Sequence, residues 1–162
     1  MLRLEPLRDD HAAAVLAFER ANREYFARTV PDRGDAYFAD FASRHAALLA
    51  EQESGACAFH VIVERGVLLG RLNLLDLADG EAELGYRVSE AAAGRGVATR
   101  AVAAACGLAA ESYGLRSLRA LTTLDNPASM RVLERNGFRP AADTAVDGRP
   151  ALRWHRALTP EG

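Results

Sequence analysis

The segment AAAGRGVATRAV, residues 91–102, holds the residue types best suited to chemistry. A strand-like run, EAELGYRV at 81–88, ends just before it, and a helical run begins at once after Gly94 and Gly96. Glycines at such a junction let the backbone approach a ligand closely. The first N–H groups of a helix have no internal partners and carry partial positive charge, so the turn is suited to an anion. Arg95 and Arg100 add mobile positive charge beside it. The chain contains no lysine, which removes the P-loop and the Schiff-base chemistry of pyridoxal phosphate. A dinucleotide fingerprint fails too, because Thr99 stands where its third glycine belongs and only one such strand-helix unit occurs. Two readings of the turn remain: a site for another pyrophosphate-bearing molecule, coenzyme A, or an ordinary glycine-containing turn without a ligand.

A second stretch, TTLDNPASMRVLERNGF at 122–138, bears on the choice between them. Asn126 suits a helix N-cap, Pro127 the first helical position, and Gly137 the close of that helix. Together the two stretches resemble the GNAT superfamily of N-acetyltransferases, and more closely the branch that acetylates the N-terminal alanine of ribosomal proteins. That branch shows Asn-x-x-Ser, an apolar pair and a Gly-Phe close, here Asn126, Ser129, Val132-Leu133 and Gly137-Phe138. The superfamily's pyrophosphate motif, Gln/Arg-x-x-Gly-x-Gly/Ala, is matched in its second half by Gly96-Val97-Ala98. There are two departures. Ala93 stands at the Gln/Arg position, and Leu133 stands where many members carry a tyrosine that protonates the leaving thiolate. Members of the alanine-acetylating branch commonly lack that tyrosine and have a serine where Ser129 stands.

The resemblance implies acetyl-CoA as co-substrate and an amine as acceptor. It implies that Arg95, Gly96, Val97, Ala98, Thr99 and Arg100 hold the pyrophosphate, with Arg95 or Arg100 compensating for Ala93. The strand 84–88, with Tyr86 and Val88, would lie against the pantetheine arm, and a backbone N–H of Tyr86 or Arg87 would face the thioester oxygen. Asn126 would orient the pantetheine, Ser129 would protonate the leaving sulfur, and Glu83 would act as base through a water, with Glu81 on the same strand face. Tyr25, Phe26 and the loop 144–149 are the expected acceptor walls. Each residue also has a plainer role: Asn126 as cap, Ser129 bonded to backbone, Glu83 solvated, Trp154 in the core and His155 at the surface. The implied acceptor is a protein N-terminal α-amine. A small amine (an amino acid, a polyamine or an aminoglycoside) is the alternative, and a non-catalytic acyl-CoA sensor on the same scaffold is a second.

These residues require elements to position them. The periodicity predicts a strand at 2–8, a helix capped by Asp9 or Asp10 and running to about 22, a loop at 23–34 and a second helix at 35–52. A hairpin follows, 58–64 and 67–77 about Arg65-Gly66, then a third strand at 81–88. A helix at 96–113 stops at Gly114, a strand covers 117–123, a helix opens at Asn126, and two last strands flank Asp147-Gly148. The order β-α-α-β-β-β-α-β-α-β-β predicts an α+β fold, a mixed and mostly antiparallel sheet with helices on both faces.

The 162 residues are 49% hydrophobic and 26% charged, which suits a single globular domain over 1–162. A net charge of −2 marks neither a nucleic-acid nor a membrane binder. No apolar run reaches the ~18 residues of a membrane span and no leader opens the chain, so a cytoplasmic monomer or homodimer is expected. Cys57 and Cys106 lack C-x-x-C spacing and are expected as buried reduced thiols. His11, His45, His60 and His155 lack zinc-ligand spacing, so no metal is expected.

Overall fold

The computed structural model describes residues 1–158; residues 159–162, which the single-domain expectation includes, lie outside the described residues. Among the described residues, seven strands form one sheet: β1 (Leu2–Pro6), β2 (Ala58–Glu64), β3 (Val67–Ala78), β4 (Glu81–Val88), β5 (Ser117–Thr123), β6 (Arg139–Val146) and β7 (Arg149–Ala157). Their spatial order is β1-β2-β3-β4-β5-β7-β6, and only β4 and β5 run parallel. The tight connections fall where expected. Arg65-Gly66 and Asp147-Gly148 both take positive φ at each residue, the left-handed pair that a two-residue hairpin turn needs.

The helices are α1 (Ala12–Ala21), α2 (Arg23–Ala27), α3 (Asp35–Ala39), α4 (Phe41–Ser54), α5 (Val97–Glu111) and α6 (Pro127–Arg135). Three expectations for the first third of the chain are corrected. Neither Asp9 nor Asp10 is a cap: both lie in a 3-10 turn that precedes α1, and the Arg8 N–H instead donates to His11 Nδ1 at 3.0 Å. The stretch read as loop from residue 23 begins with the short helix α2, because Pro31 and Gly34 act later than residue 27. The second helix is broken at Asp40 into α3 and α4.

Alternate residues of the strands serve two cores. On one face Leu72, Leu74, Ala82, Leu84, Leu118 and Trp154 pack with Val97, Ala101 and Val102 of α5 and with Leu133 of α6. On the other, Phe59 and Val61 pack with Val15 of α1 and with Tyr37 and Phe41. Both cysteines are free and buried, and burial pushes both thiols up. Among the described residues, no helix is long and apolar enough to cross a membrane.

The sheet splits where a site can form. β4 and β5 are in register only from Glu81 opposite Ser117 to Leu84 opposite Ala120. Beyond that, β5 stays with β7 to Thr123, while residues 85–88 of β4 pair with β3 alone. The β4 edge facing the gap is therefore free of strand partners. β3 backs this segment closely: a Cβ on Gly70 would lie 2.5 Å from the Arg87 carbonyl oxygen and 3.2 Å from Val88 Cα, so only glycine fits.

Candidate active site

A cleft of about 460 Å³, within the range of small-molecule sites, opens along the free end of β4, between α2, the turn into α5 and the start of α6. One end is the turn into α5. Gly94 and Gly96 both adopt positive φ, +76° and +73°, and Gly96 is the N-cap. A glycine N-cap has no side chain to satisfy the first turn, and the N–H groups of Val97, Ala98 and Thr99 have no partner among the described residues. Gly96, Val97, Ala98 and Thr99 all line the cleft. The N–H of Arg100 is already bonded to the Gly96 carbonyl at 3.0 Å, so the open donors end at Thr99.

The arginines are redistributed relative to expectation. Arg95 and Arg100 do not line the cleft, and Arg100 is bonded to Glu64 of β2 at 2.7 Å. Arg131 and Arg135 of α6 line it instead. Sequence reasoning missed them, although their spacing of four on a helix whose first turn carries Asn126 and Ser129 is a usable signal. α5 and α6 are tied together by Asn136, whose amide donates to the carbonyls of Thr99 at 3.2 Å and Val132 at 2.9 Å.

In the middle of the cleft, Asn126 Oδ1 accepts from the Ser129 N–H at 3.3 Å, as an N-cap does. The Ser129 hydroxyl does not turn back to the helix backbone. It meets the Tyr86 hydroxyl across the split at 2.8 Å, joining α6 to β4. Burial pushes the Tyr86 phenol up, against the opposing pull of the Ser129 bond, so both groups are neutral hydroxyls near pH 7. Val88 also lines the cleft. Glu83 does not: it lies on the opposite face of β4, 3.8 Å from Arg119 and 3.9 Å from Arg153.

The far end is walled by Tyr25 and Phe26 of α2 and by Arg28, Thr29 and Val30. The loop 144–149 is not part of the lining; Arg149 braces it from outside by donating to the Thr29 carbonyl at 3.3 Å and by pairing with Asp125. Asn22, between α1 and α2, accepts from the Glu90 N–H at 2.9 Å and so fixes this wall to the chain entering the phosphate end. Trp154 is buried and donates to Thr122 at 2.8 Å, and His155 is exposed. Among the described residues, four arginines line the cleft (Arg28, Arg87, Arg131 and Arg135) and no aspartate or glutamate does.

An open helix N-terminus and an unpaired strand edge meet in the split sheet, so the cleft offers donors for an anion beside an edge for an extended chain. The sequence profile of the acetyltransferase (GNAT) domain matches residues 1–139. The chain therefore belongs to the GNAT acetyltransferase family. Its fold is similar to that of ribosomal-protein-S5-alanine acetyltransferase from Vibrio fischeri, with a TM-score of 0.88 and 17% identity over 97% of this chain and 93% of that one. It is also similar to Mycobacterium smegmatis RimJ in complex with CoA-disulfide, with a TM-score of 0.88 and 25% identity over 96% and 81%. A spermidine N-acetyltransferase chimera of the Vibrio cholerae and human enzymes has a TM-score of 0.79 and 15% identity over 97% and 95%. No curated protein sequence matches.

Proposed function

We propose that the protein is a single N-acetyltransferase domain over residues 1–162 that moves an acetyl group from acetyl-CoA to a protein N-terminal α-amine. The observation that carries this is the continuity of one cleft, from the free N–H groups of α5, along the open edge of β4, to the Tyr86–Ser129 pair. The N–H groups of Gly96, Val97, Ala98 and Thr99 bind the pyrophosphate, and Arg131 and Arg135 supply the side-chain charge that Ala93 lacks. Residues 85–88 of β4 pair with the pantetheine amides as an edge strand pairs with an added peptide, and an N–H there faces the thioester oxygen.

The amine attacks the thioester carbon, the new C–N bond forms, and the C–S bond breaks. Glu83, on the β4 face away from the cleft lining, would take the amine's proton only through bridging water. Ser129 donates its proton to the departing sulfur, and Tyr86 holds the serine hydroxyl in position and can replace that proton. Asn126 anchors the helix turn that carries Ser129. Ser129→Ala is expected to lower kcat by roughly 100-fold, the low end for loss of a general acid, with acetyl-CoA affinity little changed. Tyr86→Phe, which removes one hydrogen bond, should lower kcat by about 3- to 10-fold. Stopped-flow or steady-state thiol release read beside calorimetric binding checks both, and an unaltered kcat in Ser129→Ala would reduce the serine to a helix residue.

The lining weighs among acceptors. At the acceptor end a polycation such as spermidine or an aminoglycoside would meet Arg28 and Arg87 and, among the described residues, no lining carboxylate, an arrangement that disfavours it. The test is free-thiol release from acetyl-CoA with two acceptor sets, short peptides with free N-terminal alanine, serine or methionine, and small amines. Release with peptides, lost when the N-terminus is blocked, is the expected result. Release with polyamines alone would overturn the acceptor, and binding without release would make the protein a sensor.

A further inference from the structure

The charge at the acceptor end of the cleft is built in an unusual way. Arg71 on β3 and Arg87 on β4 stand directly opposite each other in the strand register, on the same face of the sheet. Like charges in that relation repel. Glu19 of α1, 1% exposed, is inserted between them: its Oε2 accepts from Arg71 at 3.0 Å and its Oε1 from Arg87 at 3.0 Å. Arg33 donates to the same Oε1, also at 3.0 Å. One carboxylate thus faces three guanidiniums. Burial acts to raise the Glu19 carboxyl, but Arg87, Arg33 and Arg71 outweigh it and hold it below its ordinary value.

The neighbouring carboxylates are committed elsewhere. Asp32 and Asp35 are each bonded to Arg23 at 2.8 Å, and Glu90 sits 3.4 Å from Arg28. Arg71 is 5% exposed and completes its contacts on the Tyr37 hydroxyl at 3.2 Å. Arg87 differs from it. Among the described residues its side chain makes one hydrogen bond, to Glu19, out of the five that a guanidinium can donate. It lies 4.5 Å from the centre of the Phe26 ring, with 23% of its side chain exposed, and it lines the cleft. Burial, and after it the charge on Arg33, push it below the ordinary arginine value against the pull of Glu19, in a cluster where three guanidiniums exceed one carboxylate.

That excess is not the counterpart of the cofactor's phosphates. They belong to the α5 N-terminus, on the other face of the sheet and at the other end of the cleft. Arg87 instead shares its end with Tyr25, Phe26 and Thr29, one residue along β4 from the Tyr86 that holds Ser129. A partly buried charge left over in this way is costly until an anion meets it, and a guanidinium with an open edge fits a carboxylate with two parallel bonds.

We propose that the acceptor carries a carboxylate close to its reacting amine, and that Arg87, held against the cleft wall by Glu19, recognises it. This rests on the acetyltransferase reading and narrows its acceptor. The carboxylate comes either from an acidic residue just after a peptide's free N-terminus or from the α-carboxyl of a free amino acid.

The test measures thiol release from acetyl-CoA by the full chain. One arm compares peptides that differ only by Asp against Asn at the second, third or fourth position; the other compares amino acids with their carboxamides. In at least one arm the acid is expected to exceed its amide by about 10-fold or more in kcat/KM, the worth of a hydrogen bond to a charged group. In Arg87→Gln that ratio should fall to about one, and Arg87→Lys, which keeps the charge without the planar fork, should retain part of it. The ratio is taken within each variant, so partial unfolding cancels, and the wild-type ratio alone decides should Arg87→Gln not fold. Acid and amide turned over equally by the wild type, or a preference kept in Arg87→Gln, overturns the carboxylate and leaves the acetyltransferase standing. No release with any amine overturns both.

Discussion

Glu19→Gln is expected to destabilise the protein by about 3–5 kcal/mol, the cost of removing one partner from a buried charge network. For a domain of this size that lowers Tm by roughly 6–20 °C. The glutamine keeps the volume and can still accept a hydrogen bond, so the loss isolates the charge. Without it, Arg71 at 5% exposure and the opposing Arg87 face each other with no anion between them. The wild type should show the same dependence with pH. Because the folded Glu19 carboxyl lies below its ordinary value, the unfolded chain binds the proton more readily, and stability rises with pH through the carboxylate range. Its contribution is complete above the ordinary glutamate value and is lost as pH falls through the lower folded one. Thermal melts of wild type and Glu19→Gln from pH 3 to 7 check this: the gap should be widest near neutrality and close in acid. A constant gap would mean that packing, not charge, is lost.

Gly96→Glu is expected to abolish acetyl-CoA binding, with affinity lowered at least 100-fold. The position has open space: nothing lies within 4 Å of a Cβ built there, so an added side chain projects without collision. A carboxylate at about 4 Å from a pyrophosphate is opposed by about 4 kcal/mol at an effective dielectric of 20, more than two decades in affinity. The backbone adds a smaller effect, because φ of +73° is strained for a side chain. Gly96→Asn separates the two, since asparagine tolerates the left-handed region and carries no charge. Calorimetry should find near-normal binding in Gly96→Asn and none in Gly96→Glu, with both folded by circular dichroism. Normal binding in the glutamate variant would move the cofactor away from the α5 N-terminus.

Part of this architecture was legible in the linear chain. The glycine pair before α5, Asn126-Pro127 opening α6, and the dipeptides Arg65-Gly66 and Asp147-Gly148 each act on φ and ψ of their immediate neighbours. Such preferences are local, so they can be read without knowing what lies across the sheet. At α2 the local signal is weaker: Pro31 and Gly34 break the chain only after Ala27, and Arg23–Ala27 stays helical.

Which side chains meet was decided by the docking of elements far apart in sequence. The Tyr86 hydroxyl finds Ser129 43 residues later, and Glu19 finds Arg71 and Arg87 at separations of 52 and 68. The same packing takes Arg100 to Glu64 and brings Arg131 and Arg135 into the cleft. A guanidinium's reach exceeds the width of its own turn, so its partner is set by whichever neighbouring element the fold places within that reach. The sequence by itself determined the order of the strands, the helices α5 and α6 and the open turn at Gly96, because these follow from backbone conformation. The charge on the acceptor wall was decided only by the tertiary structure, because it depends on which carboxylate is buried against which arginines.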